Sequence, residues 1–346
     1  MSSGTWSLTG SMVTARLMNT ATLLIDGNVL VTGGAIAGSG SALAEAELYA
    51  PSGSWGAVKP MLARRSRHTA TRLMDGRVLI AGGRDQADAN VATAELYDPS
   101  TYDWGSTGRM ITPRDNHTAT LLSDGQVLVT GGVSNAADLN SAEIYDPTTG
   151  SWHTTNSMAD ARYNHKAVLL PDGRVLVTGG AVGKAYRPLN TAEIYDPQSE
   201  MWSRAANMLN HRFTHLALLI DGGLVLVTGG YTRPNLGAPT ETAELYDPVN
   251  NTWARSAPLT EPRARLLTAA VSLSDGRIFV TGGQNDSGIL VTSEVYDPAT
   301  SIWSRTANMT SARSGFTITL LADGRILCSG GRDTSRPLAT AEIYEP

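Results

Sequence analysis

Four histidines, His68, His117, His165 and His215, recur at intervals of 49, 48 and 50 residues. A set of arginines keeps similar step: Arg16, Arg65, Arg114, Arg162, Arg212, Arg265 and Arg313. Four imidazoles invite a metal site, but metal ligands must converge on one point. Side chains that recur at a fixed interval belong to equivalent places in separate units, which spreads them apart. The single cysteine, Cys328, permits no intrachain disulfide and no zinc cluster of the usual spacing. No phosphate-cradling glycine motif, nucleophile elbow or His-Glu-x-x-His stretch is present. The better candidates are the positions where the units differ, directly after each arginine. They read Leu17-Met18, Ser66-Arg67, Asp115-Asn116, Tyr163-Asn164, Phe213-Thr214, Leu266-Leu267 and Ser314-Gly315. Arg67 has the chemistry to hold an anion or oxyanion, and Asp115 or Tyr163 to move a proton. Arg67, Asp115, Asn116 and Asn164 are polar, whereas Phe213, Leu266, Leu267, Leu17 and Met18 are apolar. The polar members fall in three consecutive units, and the apolar ones in the fifth, sixth and first.

The elements that position these residues are legible in three further markers. Tryptophans stand at 6, 55, 104, 152, 202, 253 and 303. Seven Gly-Gly pairs run from Gly33-Gly34 to Gly330-Gly331, and seven Glu-x-Tyr elements run from Glu47/Tyr49 to Glu342/Tyr344. All three share one phase. In the fourth unit, Arg162 to Leu170 is a first strand, and Pro171-Asp172-Gly173 is a hairpin turn. Arg174 to Thr178 is a second, β-branched strand ending at Gly179-Gly180. Thr191 to Tyr195 is a third strand, and a fourth carries Trp202. The chain ends after a third strand, and residues 2–10 read as the missing fourth. The expected architecture is therefore one domain over 1–346, its last unit built from 311–346 plus 2–10. Pairing the seven arginines with the seven Glu-x-Tyr glutamates is the economical expectation, since buried charges need partners. The tryptophans and Met12, Met61, Met110, Met158, Met208 and Met309 read as packing residues.

The Asp-Gly-Arg-Val-Leu-Val-Thr-Gly-Gly run, the Ala-Glu-Ile-Tyr-Asp-Pro run and the spaced tryptophans resemble kelch repeats over essentially the whole chain. That resemblance implies an all-β, seven-bladed kelch β-propeller around a central channel, closed by the N-terminal strand. It also implies that first strands line the channel and that the varying pairs ring its entrance, with one half of that mouth polar and the opposite half apolar. The repeat style is similar to the propeller of galactose and glyoxal oxidases. Their copper chemistry needs two Tyr, two His and a Cys cross-linked to Tyr. Cys328 is the only cysteine and sits inside a second strand, so no metal or other cofactor is expected.

Up-and-down strand order places the loops between second and third strands on the same face as the varying pairs. Those loops differ in length and carry Tyr186, Tyr231, Arg233 and Arg332 among others, so ligand contacts belong there. Two function classes follow. One is a ligand-recognition module for an amphiphilic small molecule, glycan or short peptide. The other is a cofactor-independent enzyme doing isomerase, cyclase or lyase chemistry in the same pocket. The net charge of −5 argues against nucleic acid as a partner. No membrane span or signal peptide is apparent, which with the lone cysteine points to the cytoplasm.

Overall fold

The computed structural model describes residues 4–36, 41–135, 137–266 and 269–346. Among them the regular structure is entirely strand: seven four-stranded antiparallel sheets and three two-stranded ribbons. Each sheet is one blade. The innermost strands are Thr20–Leu23, Thr69–Arg72, Thr118–Leu121, Lys166–Leu169, Leu216–Leu219, Ala270–Ser272 and Thr317–Leu320. Every innermost strand packs beside the next, and the seventh packs beside the first, so the ring is closed.

The second strands, such as Val127–Thr130, are buried along their whole length. Both faces of a blade pack on neighbouring blades, which is why these strands are continuously apolar rather than alternating. Third strands carry the repeated tyrosine at or one residue before their end, and it is buried in all seven blades. Each tyrosine ring lies 4.9–5.2 Å from the outer-strand tryptophan of its blade. Six of the tryptophans donate from Nε1 to a carbonyl of an adjacent blade, as Trp152 does to Gly108 O at 2.9 Å. They are inter-blade anchors with an apolar body and a polar handle.

The outer strand of the seventh blade is Thr5–Leu8, which pairs antiparallel with Ala341–Glu345 in the register Trp6 to Tyr344. Trp6 thereby stands where the other blades carry their own tryptophan. The ribbons Ala181–Val182/Arg187–Pro188, Tyr231–Arg233/Gly237–Pro239 and Gln284–Asn285/Gly288–Ile289 lie in the variable loops of blades four, five and six. They extend three adjacent blades beyond the common scaffold.

Candidate functional site

The repeated arginines are fully buried and bind the blades together. Each donates to the glutamate of its own blade at 2.6–2.9 Å. Its backbone carbonyl accepts from the second glycine of the preceding blade, as Arg162 O does from Gly132 N at 2.9 Å. The first glycine of each pair is equally constrained. At Gly131 (φ 60°) a Cβ would lie 2.5 Å from Arg162 O, so only glycine admits this approach.

One repeated arginine differs from the sequence reading. In the sixth blade the residue paired with Glu294, at 2.6 Å, is Arg263, not Arg265. The segment before that inner strand is longer than in the other blades, so a match made backwards from the strand lands two residues too far along. Counting forwards recovers the register. Each repeated Met precedes its arginine by four residues, and Leu259 stands in the same relation to Arg263. The varying pair of this blade is therefore Ala264-Arg265. Leu266 is not at the mouth. It is fully buried and packs on Gly229 and Gly283, where blades three and four hold His117 and His165. Leu267 and Thr268 lie outside the described residues.

With that correction the site becomes regular. The first residue of each pair bridges to the residue after the Gly-Gly pair, as Asp115 does to Val133 and Tyr163 to Ala181. Six of the seven first residues are buried hydrophobic or polar side chains of the wall, and Ala264 completes the set. The second residues are Met18, Arg67, Asn116, Asn164, Thr214, Arg265 and Gly315. All have φ between 50° and 65°. Left-handed backbone is uncommon for Arg and Met and an outlier for β-branched Thr. Inter-blade hydrogen bonds hold it: Met18 N to Gly315 O, Arg67 N to Met18 O, Asn164 N to Asn116 O and Thr214 N to Asn164 O, at 3.0–3.1 Å. The seven residues form a collar around the channel entrance.

All seven collar residues line one cavity of about 460 Å³ that descends along the inner strands. Tyr186, Leu236 and Arg332 from the variable loops complete its rim. A connected hollow of about 360 Å³, sharing Arg67, Arg265 and Arg332, runs out beneath the loops of blades one, two and seven. On the opposite face a depression of about 610 Å³ is lined by Asp26, Asp75, Arg77 and Tyr102. It is shallow, and Arg77 already pairs with Asp75 at 2.7 Å, a contact repeated by Arg174, Arg277 and Arg325 in their own turns. That depression is therefore scaffold, and the smaller collar cavity is the better candidate.

The predicted residues divide between wall and cavity. Arg67 and Asn164 face the cavity with Met18, Asn116 and Leu17. Asp115 is fully buried behind them. Its Oδ2 accepts from Arg84 Nε at 2.7 Å and Asn116 Nδ2 at 3.2 Å and lies 3.5 Å from Arg67. This carboxylate engages two arginines through Oδ2, while its buried Oδ1 has no hydrogen-bond partner among the described residues. The Tyr163 hydroxyl donates to Gly183 O at 2.8 Å, and burial raises its pKa further above the ordinary phenol value, so it is a poor acid. Phe213 and Tyr231 are buried beneath Tyr186, whose ring stacks on Phe213 at 6.0 Å and meets Tyr163 edge-on at 5.9 Å. The apolar half of the entrance is this aromatic base with Tyr186 on top, interrupted by Arg265.

The structure adds two features to the sequence reading. The first is that Arg67 and Arg332, each singled out there, converge with Arg265. Arg265 and Arg332 have no carboxylate partner among the described residues, and Arg67 has only the 3.5 Å contact with Asp115. The acids nearby are committed: Asp88 to Arg84 at 3.0 Å, and Asp85 to the backbone amides of Ala87 and Ala89. The second is Lys166, which occupies the inner-strand position held by Thr20, Thr69, Thr118 and Thr317 in other blades and lines the same cavity. It is partly accessible from the channel yet surrounded by protein, and burial pushes its ammonium pKa down to about 8. A break in the threonine column is the signal that marks it.

The histidines are structural. His68, His117 and His165 each engage through Nε2 a threonine hydroxyl of the preceding blade at 3.0–3.2 Å, and His215 engages Thr178 at 3.0 Å. Burial, then the adjacent arginines, holds their pKa values low, for His117 at about 3. Cys328 is fully buried beside the Met309 sulfur at 3.8 Å, and burial raises its thiol to about 12.

The repeat carried by these blades has a counterpart among known proteins. A family model described as the KLHDC2/KLHL20/DRC7 Kelch-repeats domain matches residues 19–212 and 153–331. The chain belongs to the Kelch-repeat family. This kelch propeller matches no curated protein sequence. Among solved structures it is similar to a novel fungal alcohol oxidase of the AA5 family in complex with copper. The two share 18% identity and a TM-score of 0.81, over 100% of this chain and 77% of the oxidase chain. It is also similar to the structure of YjhT, at 14% identity and a TM-score of 0.65, over 86% of this chain and 99% of that one. At such identities the likeness is one of fold. The copper chemistry does not carry over. The only thiol is sealed in a second strand, four imidazoles are tied to hydroxyls, and no cluster of three His, Cys, Asp or Glu exists among the described residues. Among those residues no helix is long and apolar enough to cross a membrane.

Proposed function

We propose that this kelch propeller recognises an anionic, amphiphilic small molecule in the collar cavity. The observation that carries the reading is the convergence of Arg67, Arg265 and Arg332 on one entrance without strong carboxylate partners. Seven other arginines in this chain show what a neutralised one looks like, each bound to a buried glutamate. Guanidinium groups present planar donor forks suited to carboxylates and phosphates. Met18, Tyr186 and Leu236 supply the apolar contact. A cavity of about 460 Å³ suits a small molecule better than a broad protein surface.

The test is calorimetric titration with a panel of aliphatic and aromatic carboxylates and organophosphates, alongside their neutral amides and alcohols. Binding of anionic members only is expected. The double variant Arg67→Gln/Arg265→Gln should weaken it at least about 100-fold, a loss in the range of two charge-assisted hydrogen bonds. Equal binding of the neutral analogues, or undiminished affinity in the double variant, overturns the reading.

A further inference from the structure

We infer that the ligand of the collar cavity is a planar aromatic acid, with its ring stacked on Tyr186 and its anionic group on the arginines. The inference rests on the anionic reading of this cavity and names the other half of the ligand.

Three buried rings, Tyr163, Phe213 and Tyr231, form one cluster in blades four and five, and Leu236 packs against it. The scaffold does not demand aromatic residues there. The position of Tyr163 and Phe213 is filled in the other blades by Leu17, Ser66, Asp115, Ala264 and Ser314, and that of Tyr231 by residues as different as Ala35, Arg84 and Gln284. The rings are thus a property of one sector of the entrance. Their polar ends are tied down: the Tyr163 hydroxyl donates to Gly183 O at 2.8 Å, and the Tyr231 hydroxyl accepts from Gln284 Nε2 of the sixth blade at 2.6 Å. The cluster is a fixed base rather than a loose apolar patch.

Tyr186 lies on that base. Its plane is 17° from that of Phe213, and Tyr163 meets it at 70°. Phe213 covers one face of the ring. The side chain is nevertheless 38% exposed and lines the cavity, which leaves the other face to a ligand. The rim that presents it is strained. Tyr186 and Leu236, both lining the cavity, have φ of 51° and 59°, a left-handed backbone that bulky residues rarely adopt. Asn235 N donates to Ala185 O at 2.7 Å and ties the tip of the fifth-blade ribbon to that of the fourth. Such strain persists where surroundings over-determine it, and it collects at ligand clamps.

A rigid flat surface favours a rigid flat ligand. An aromatic ring on Tyr186 gains a stacking interaction beyond the area it buries. It also loses little freedom on binding, whereas a flexible alkyl chain must be ordered. The arginines hold the charge through planar donor forks. The ligand class is therefore an aromatic ring that carries a carboxylate or phosphate through a short linker.

The test compares benzoate, phenylacetate and 3-phenylpropanoate with cyclohexanecarboxylate, cyclohexylacetate and 3-cyclohexylpropanoate by calorimetry. Each pair matches in charge and carbon count, and the saturated member is the more hydrophobic, so burial alone favours it. At the best linker length the aromatic acid is expected to bind at least about three-fold more tightly, the scale of one ring–ring contact. Its ring protons should move upfield in the proton NMR spectrum of the complex, as protons held over an aromatic face do. Tyr186→Phe should keep both the preference and the shift. Tyr186→Leu, which keeps an apolar side chain, should lose both and still bind the cyclohexyl acid. Thermal melting checks that each variant is folded, and the upfield shift in the parent protein needs no variant. Equal or weaker binding of the aromatic acids, or a preference that survives Tyr186→Leu, overturns the inference and leaves the anionic reading standing. Binding of neither set overturns the anionic reading and this inference with it.

Discussion

Arg114 lies fully buried with Glu143 at 2.7 Å, and also donates to Gly131 O and Ser141 O. The glutamate in turn accepts from the amides of Ile111 and Thr112 at 2.6 and 3.0 Å. The pair ties the segment before the inner strand to the second and third strands of one blade. Its net worth against an apolar replacement is small, but breaking it from one side strands a buried charge. Arg114→Met should therefore lower stability by about 3–5 kcal/mol, read as a shift in urea midpoint. The joint replacement of Arg114 by Met and Glu143 by Leu should cost much less. A single variant as stable as the parent would show the pair to be dispensable. Arg67, at 34% side-chain exposure and 3.5 Å from its carboxylate, is the contrasting case. Its loss should alter ligand affinity and leave the melt nearly unchanged.

At the scale of the element, the outer strand of the seventh blade carries the most consequence for its length. Thr5–Leu8 covers the edge of Ala341–Glu345. Trp6 packs 5.2 Å from Tyr344 and 6.0 Å from Phe279 of the sixth blade, and donates to Ala307 O at 3.0 Å. The strand holds two blades together and closes an edge that would otherwise invite strand addition. Deleting residues 1–10 should cost several kcal/mol, since removing a packed Trp alone is worth about 3–5. The measurement is thermal melting with light scattering. A shortened chain that melts at the parental temperature and stays monodisperse would refute this account.

For the whole molecule, the histidines make stability depend on pH. Four buried imidazoles stay neutral in the folded ring, with pKa values pressed below the ordinary 6.5. The unfolded chain binds these protons as pH falls through about 6.5, and the folded chain binds them only far lower, near 3 for His117. Stability is thus complete above pH 6.5 and declines on acidification, by roughly 1–2 kcal/mol per histidine at pH 5. Melting temperature should fall between pH 7 and pH 5. His117→Asn, which copies the residue the first blade uses at Asn19, should flatten the slope by about one proton. A melt independent of pH over that range would contradict the neutral assignment. The inter-blade threonine contacts explain why this sensitivity is shared around the ring rather than confined to one blade.

Three repeated markers were enough, from sequence, for the blade count, the strand order and the kelch resemblance, because seven copies of one pattern reinforce each signal. The arginine–glutamate pairing was legible for six blades and misplaced in the seventh case by two residues. Length variation before the sixth inner strand shifted the match, although the spacing from Leu259 held the answer. The pairs were legible as the positions where the blades differ, but not which member lines the cavity and which is buried. That depends on the left-handed turn at every second residue, a backbone state the types Met, Arg and Thr do not announce. Asp115 and Tyr163 stood out as residue types, but their partners Arg84 and Gly183 could be seen only in the fold. Sequence alone determined the ring. Only the tertiary structure brings Arg67 and Arg265 to one cavity, because they belong to different blades and meet through closure of the propeller.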